Sequence, residues 1–166
     1  QKLEEASFLA AKSHYMMSPA FSLDQEETNN AIEKLQIFMN NYPKSKYTDE
    51  CNQLINELQN KIEKKEFEVA KQYYTIYDYR AAIKSLDNFI VEFVGSKFRE
   101  EALYYKFLAS YEIAINSIES KKIQRLTDLK QLHDNIVRYY PETLFEEDLS
   151  KKMDVVEKEI NIFTNL

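Results

Sequence analysis

Only one glycine and three prolines interrupt this chain of 166 residues, so long unbroken helices should dominate it. Tryptophan is absent; twelve tyrosines and ten phenylalanines must do the aromatic packing instead. A single cysteine excludes an internal disulfide and leaves the compartment open. No apolar run approaches the roughly 18 residues that a membrane-spanning helix needs. Cations are outnumbered, with 22 Lys and Arg against 28 Asp and Glu, and they do not cluster as a phosphate-binding surface would require. There is no glycine-rich phosphate loop, no spacing of metal ligands and no nucleophile–base–acid set, so the chain reads as non-enzymatic, with no catalytic, cofactor or metal site. No signal peptide is visible. Gln1 leads directly into LEEASFLAAKSHY, an apolar-periodic helix without a start signal, which implies a piece whose N-terminal part lies upstream. What the chain does have is 44% hydrophobic residues, ample for a core, and 30% charged residues interspersed among them, which argues against disorder.

The organising stretch is Glu66 to Ser96, EFEVAKQYYTIYDYRAAIKSLDNFIVEFVGS. Two amphipathic helices meet at Tyr77-Asp78. Val69, Ala70 and Tyr73 mark a core face on the first. Tyr79, Ala82, Ile83, Leu86, Phe89, Ile90 and Phe93 hold the helical period on the second. Small residues between tyrosines let two helix backbones approach, and the pattern resembles a tetratricopeptide repeat. One such pair cannot bury its own apolar face and needs neighbours.

Those neighbours are legible at the helix ends. Tyr42-Pro43-Lys44-Ser45, Phe93-Val94-Gly95-Ser96 and Tyr140-Pro141-Glu142-Thr143 align. They fall about 50 residues apart, longer than the 34 of a consensus tetratricopeptide. In that register Ala31, Leu35 and Phe38 match Ala82, Leu86 and Phe89, then Leu129, His133 and Ile136; Cys51 matches Ala102 and Leu149. Proline should close the helices at Tyr42 and Tyr140, and Gly95 should serve the second copy as a left-handed cap. Thr143 with Glu146 reads as a capping box, and Asp24 with Glu27 as its aspartate variant. The predicted helices are 2–16, 25–42, 47–76, 79–93, 97–118, 121–140 and 144–163. The expected fold is all-α, a single tetratricopeptide-repeat domain over residues 1–166 forming an α-solenoid of antiparallel helix pairs; a compact bundle is the alternative.

Cys51 occupies a small-residue position and reads as buried. His133 stands on an apolar helix face as a core or groove-edge residue, and His14 has no ligand spacing to anything. The acidic pairs after each junction suit the first turn of a helix. A partner surface is expected on the first helix of each pair. Lys64, Phe67, Lys71 and Tyr74 fall at i, i+3, i+7 and i+10 on a face taken as distinct from Val69, Ala70 and Tyr73; helix 97–118 adds Tyr105 and Glu112. Such mixed aromatic and charged residues can grip an extended peptide or a helix. The plainer reading is a solvated face.

More specific than the periodicity are Ser18-Pro19-Ala20-Phe21-Ser22-Leu23-Asp24-Gln25, Leu35-Gln36-Ile37-Phe38 leading to Tyr42-Pro43-Lys44-Ser45, Lys64 to Lys71, Asp78-Tyr79-Arg80-Ala81-Ala82 and Glu100 to Tyr105. With these the chain, from about Glu4 to Tyr140, resembles the BamD family of tetratricopeptide lipoproteins of the outer-membrane β-barrel assembly machinery, in a Bacteroidetes-like form. Val94-Gly95 departs from the family's usual proline, and the segment Glu119 to Arg125 matches less well. The resemblance implies a periplasmic protein held on the outer membrane by a lipid on a cysteine upstream of Gln1. It implies binding to the BamA-like barrel-forming subunit and handling of unfolded outer-membrane protein segments, with no nucleic acid. Another tetratricopeptide adaptor, a co-chaperone or cell-envelope scaffold, is the alternative.

Overall fold

A computed structural model describes residues 2–164. Among them are seven helices and no strand: α1 (Lys2–Met17), α2 (Glu26–Asn41), α3 (Thr48–Thr75), α4 (Tyr79–Glu92), α5 (Arg99–Ile115), α6 (Glu119–Tyr139) and α7 (Glu146–Thr164). The all-α, tetratricopeptide-like helical-repeat class expected from the sequence is the observed one. The bounds follow the expected ones closely, with one shift. Helix 97–118 stops at Ile115, and just beyond it Asn116 and Ser117 turn their side chains onto the carbonyls of Glu112 and Ile113.

The chain forms two compact units, residues 1–66 and 67–166, divided within α3. In the first, Phe8 and Ala11 of α1 meet Ala31, Leu35 and Phe38 of α2 and Cys51, Leu54, Ile55 and Leu58 of α3. In the second, Phe67 and Ala70 of α3 join Ala82, Leu86 and Phe89 of α4 and Ala102 and Ala109 of α5. A further cluster joins Phe107, Leu108 and Ala114 of α5 to Leu126, Leu129 and Ile136 of α6 and Leu149, Met153 and Val156 of α7. Each core is thus shared by three consecutive helices, as the pairing argument requires. Most aligned positions hold: Ala31 and Ala82, Leu35 and Leu86, and Cys51, Ala102 and Leu149 are all 0% exposed, while His133, the third-copy counterpart of Leu35 and Leu86, is half-buried. Burial also pushes the Cys51 thiol upward in pKa.

The three junctions are built alike. The backbone N–H of Tyr42, Phe93 and Tyr140 donates to the carbonyl of Phe38, Phe89 and Ile136 at 2.9, 2.9 and 2.8 Å. Ser45, Ser96 and Thr143 then accept the N–H two residues on, at 3.2, 3.2 and 3.3 Å, in hydroxyl-based turns. Those N–H groups belong to Tyr47, Phe98 and Phe145. Each of these rings stacks on an aromatic of an earlier helix: Phe8–Tyr47 at 4.2 Å, Phe67–Phe98 at 5.5 Å and Tyr104–Phe145 at 4.0 Å between centroids.

Two expected caps differ. Thr143 does not form a capping box: its hydroxyl accepts from Phe145 N–H and donates to Glu100, while Glu146 accepts from Ser150. Asp24 accepts from Glu26 N–H at 2.9 Å rather than pairing with Glu27. Gly95 is not left-handed either, and a Cβ there would meet nothing within 4 Å. The left-handed residue is Tyr77, φ 65°. It closes α3 in a Schellman arrangement, with Asp78 N–H on Tyr73 O at 2.9 Å and Tyr77 N–H on Tyr74 O at 3.0 Å. Asp78 then caps α4 by accepting from Ala81 N–H at 3.1 Å.

The second junction therefore tolerates stiffening. Phe93 (φ −112°, ψ 61°) has nearly the backbone that Tyr42 (−132°, 64°) and Tyr140 (−132°, 72°) adopt before proline. Gly95→Ala and Val94→Pro should each stabilise by about 0.4–1 kcal/mol through the unfolded chain, as a raised midpoint in thermal or urea melts. Ala82→Leu is the opposite case. At a fully buried methyl within a three-helix core, overpacking should lower stability by about 1–3 kcal/mol, and an unchanged melt would contradict the register.

Candidate partner-binding surface

Lys71, Tyr74, Tyr105 and Glu112 do come together, in the second unit, on α3 and α5. Lys71 lies 5.4 Å from the Phe67 ring centroid and 4.7 Å from that of Tyr105, and its ammonium donates to Glu101 at 2.9 Å. Burial lowers its pKa, but the hydrogen bond and charge of Glu101 outweigh that and the net shift is upward. Tyr74 meets Tyr105 edge-on at 5.4 Å and Tyr79 at 5.7 Å. Burial first, then the Glu112 carboxylate, raises the pKa of Tyr74, Tyr79 and Tyr111 alike. Glu112 is a half-buried carboxylate among three phenols, and it has no ion-pair partner among the described residues.

Two of the expected surface residues sit elsewhere. Phe67 is 1% exposed and belongs to the core, while Val69, expected in the core, is 44% exposed. The reason is spacing: Phe67, Ala70 and Tyr74 are i, i+3 and i+7, one continuous stripe on the covered face of α3. Tyr74 and Tyr105 are accordingly half-buried and pack against two core clusters, so they do not point away from the core. Lys64 belongs to the first unit, where its ammonium lies 4.2 Å from the Phe21 ring.

That contact is part of a feature the sequence reading missed. Gln25 is 6% exposed and Thr28 fully buried. The Gln25 amide donates to the carbonyls of Ala20 and Leu23, both at 2.9 Å, and accepts from the Thr28 hydroxyl at 2.7 Å. Thr28 also meets Ser18 at 2.6 Å; Lys61 donates to Ser18 Oγ at 2.7 Å and Lys65 to Leu23 O at 2.9 Å. The connection between α1 and α2 is thus bound to α3 by polar contacts. The available signal was Thr28, a polar residue three before Ala31 on the buried stripe of α2.

Glu50, Glu101 and Asp148, in the first turns of α3, α5 and α7, have partners as well as a favourable dipole. Lys12 donates to Glu50 at 2.6 Å and Lys71 to Glu101, each cation lying one turn beyond the stacked aromatic, Phe8 or Phe67. In the last copy that cation position is Leu108, 6% exposed, and Asp148 is bound instead by the Tyr104 hydroxyl at 2.9 Å. Burial first, then this hydrogen bond, pushes the Tyr104 phenol well above its usual range. A phenol raised in the fold stabilises fully below its unfolded pKa of about 10 and loses that contribution as pH climbs past it. Tyr104→Phe should cost about 1 kcal/mol at pH 7. Above pH 10 the wild type should lose stability more steeply than the variant, as followed by urea melts.

No helix among the described residues is long and apolar enough to cross a membrane. Among curated proteins nothing matches this chain. A scan of protein families matches YfiO, described as outer membrane lipoprotein, over residues 1–82 and 62–161. The two matches overlap at 62–82, where the first pass through the repeat ends and the next begins. Together they span nearly the whole chain, which therefore belongs to the YfiO family of outer membrane lipoproteins.

Proposed function

We propose that this chain is a non-enzymatic scaffold of outer-membrane β-barrel assembly, lipid-anchored on the periplasmic face of the outer membrane. In this reading it binds the periplasmic domains of a BamA-like subunit and helps deliver unfolded outer-membrane proteins. Family membership carries the reading. The surface of α3 and α5 supports it: Lys71, Tyr74, Tyr105 and Glu112 present rings, a cation and an unpaired carboxylate within one patch, the chemistry of an interface hot spot. Glu112 among its tyrosines suits a Lys or Arg side chain of the partner, since both the carboxylate and the ring faces attract a cation. Lys64 and Phe67 act differently: Lys64 holds the Phe21 connection and Phe67 supports Lys71 from below.

The half-burial of the tyrosines decides how to test this. Alanine at Tyr74 or Tyr105 would remove core packing along with the surface, so conservative changes are preferable. Glu112→Gln and Tyr74→Phe should each weaken binding to the cognate barrel subunit's periplasmic domains by about 1–2 kcal/mol in calorimetry, with circular dichroism unchanged. Native affinity in both variants would move the interface elsewhere. A wild-type chain, lipid-anchored or full-length, that fails to bind those domains would overturn the proposal.

A further inference from the structure

A groove of about 300 Å³ opens between α4, α5 and α6, away from the residues assigned to the tyrosine patch. Leu129 is buried in its wall, and Ile83, Ile113 and Leu132 line it half-buried, so it offers apolar surface. At its charged edge Lys106 pairs with Asp87 at 2.6 Å, and Asp128 accepts from the neutral Gln124 amide at 2.8 Å. Arg125 is the group with unused donors. It is half-buried, its Nη1 donates to Ser117 Oγ at 2.5 Å, and among the described residues it pairs with no carboxylate. A guanidinium has five N–H donors in a rigid fork that matches a carboxylate. Here most of that fork is unused beside an apolar hollow that takes one or two side chains.

We infer that this groove docks a protein segment presenting a carboxylate next to a large aliphatic side chain. The aliphatic group lies on Ile83, Ile113 and Leu132, and the carboxylate meets the free donors of Arg125. The inference rests on the reading of this chain as a protein-binding scaffold, but it concerns a second surface, formed by α4 and α6 over α5. The Arg125–Ser117 bond matters because it ties the guanidinium to the α5–α6 turn and holds it at the edge of the groove before any partner arrives.

The test uses capped decapeptides of Gly and Ser that differ at two central positions: Leu-Glu, Leu-Gln and Ala-Glu. Titrated into the whole chain and followed by methyl NMR, the Leu-Glu peptide should shift the methyl signals of Ile83, Ile113, Leu129 and Leu132. The other two peptides should bind about tenfold more weakly, each lacking one contact. Arg125→Gln should erase the preference for Glu over Gln. Ser117→Ala, which keeps the guanidinium but frees it from the turn, should retain the preference for Glu while weakening the Leu-Glu peptide, and this separates recognition from positioning. Equal binding of the Glu and Gln peptides, or no shift of these methyls up to the solubility limit, overturns the inference. So does acetate or phosphate alone reproducing the Arg125-dependent shifts, which would make this a small-anion site. Undiminished binding of the barrel subunit alongside a peptide-blind groove would sink only this inference and leave the proposed function in place.

Discussion

The stacked aromatic pair at each junction is the contact on which the remaining structure depends. A helix hairpin has two apolar faces to cover and only one partner in sequence. The ring just before each new helix, Tyr47, Phe98 or Phe145, lies on an aromatic of an earlier helix and so sets where the new helix starts. The serine or threonine two residues earlier aims that ring by accepting its backbone N–H. Four residues on, the first buried side chain of the new helix, Cys51, Ala102 or Leu149, then enters the core at zero exposure. A short polar turn and one ring thereby position a helix of four turns or more.

This construction also determines which chemistry reaches the surface. The acid beside each buried entry residue needs a partner across the helix pair. Two copies supply a lysine, and those lysines lie over the supporting rings. The last copy replaces the lysine with buried Leu108 and lets Tyr104 bind Asp148. The middle copy is therefore where a lysine, several tyrosines and Glu112, which has no ion-pair partner among the described residues, share one patch. Exposed ion pairs of this kind add little stability. Their arrangement matters more as a pattern of donors, acceptors and ring faces.

Much of this was legible in the chain itself. Scarce glycine and proline imply long helices, and the spacing of Ala31, Leu35 and Phe38 against Ala82, Leu86 and Phe89 implies which faces are buried. Both are local consequences of helical period and of the penalty on exposed apolar area. The seven helices and the small-residue entry positions follow from them. The tyrosine patch was legible in part: Lys71, Tyr74, Tyr105 and Glu112 do cluster, although Phe67 lies in the core.

What the sequence could not determine depends on groups distant in the chain. Helical period puts Phe67, Ala70 and Tyr74 on one stripe and Val69 on another, about 100° from Ala70 and about 160° from Phe67, but only the positions of α4 and α5 decide which stripe is covered. Gly95 carried the strongest local claim to a left-handed backbone, yet Tyr77 holds it, because the Schellman hydrogen bonds of Asp78 and Tyr77 repay the strain where α3 must reverse. Gln25 and Thr28 became buried because α3 brings Lys61 and Lys65 to the connection they hold. The groove at Arg125 exists only where α4 and α6 both pack on α5. Local period sets the elements and their inner faces; which polar groups are paired, and which are left for a partner, is set by side chains that meet across tens of residues.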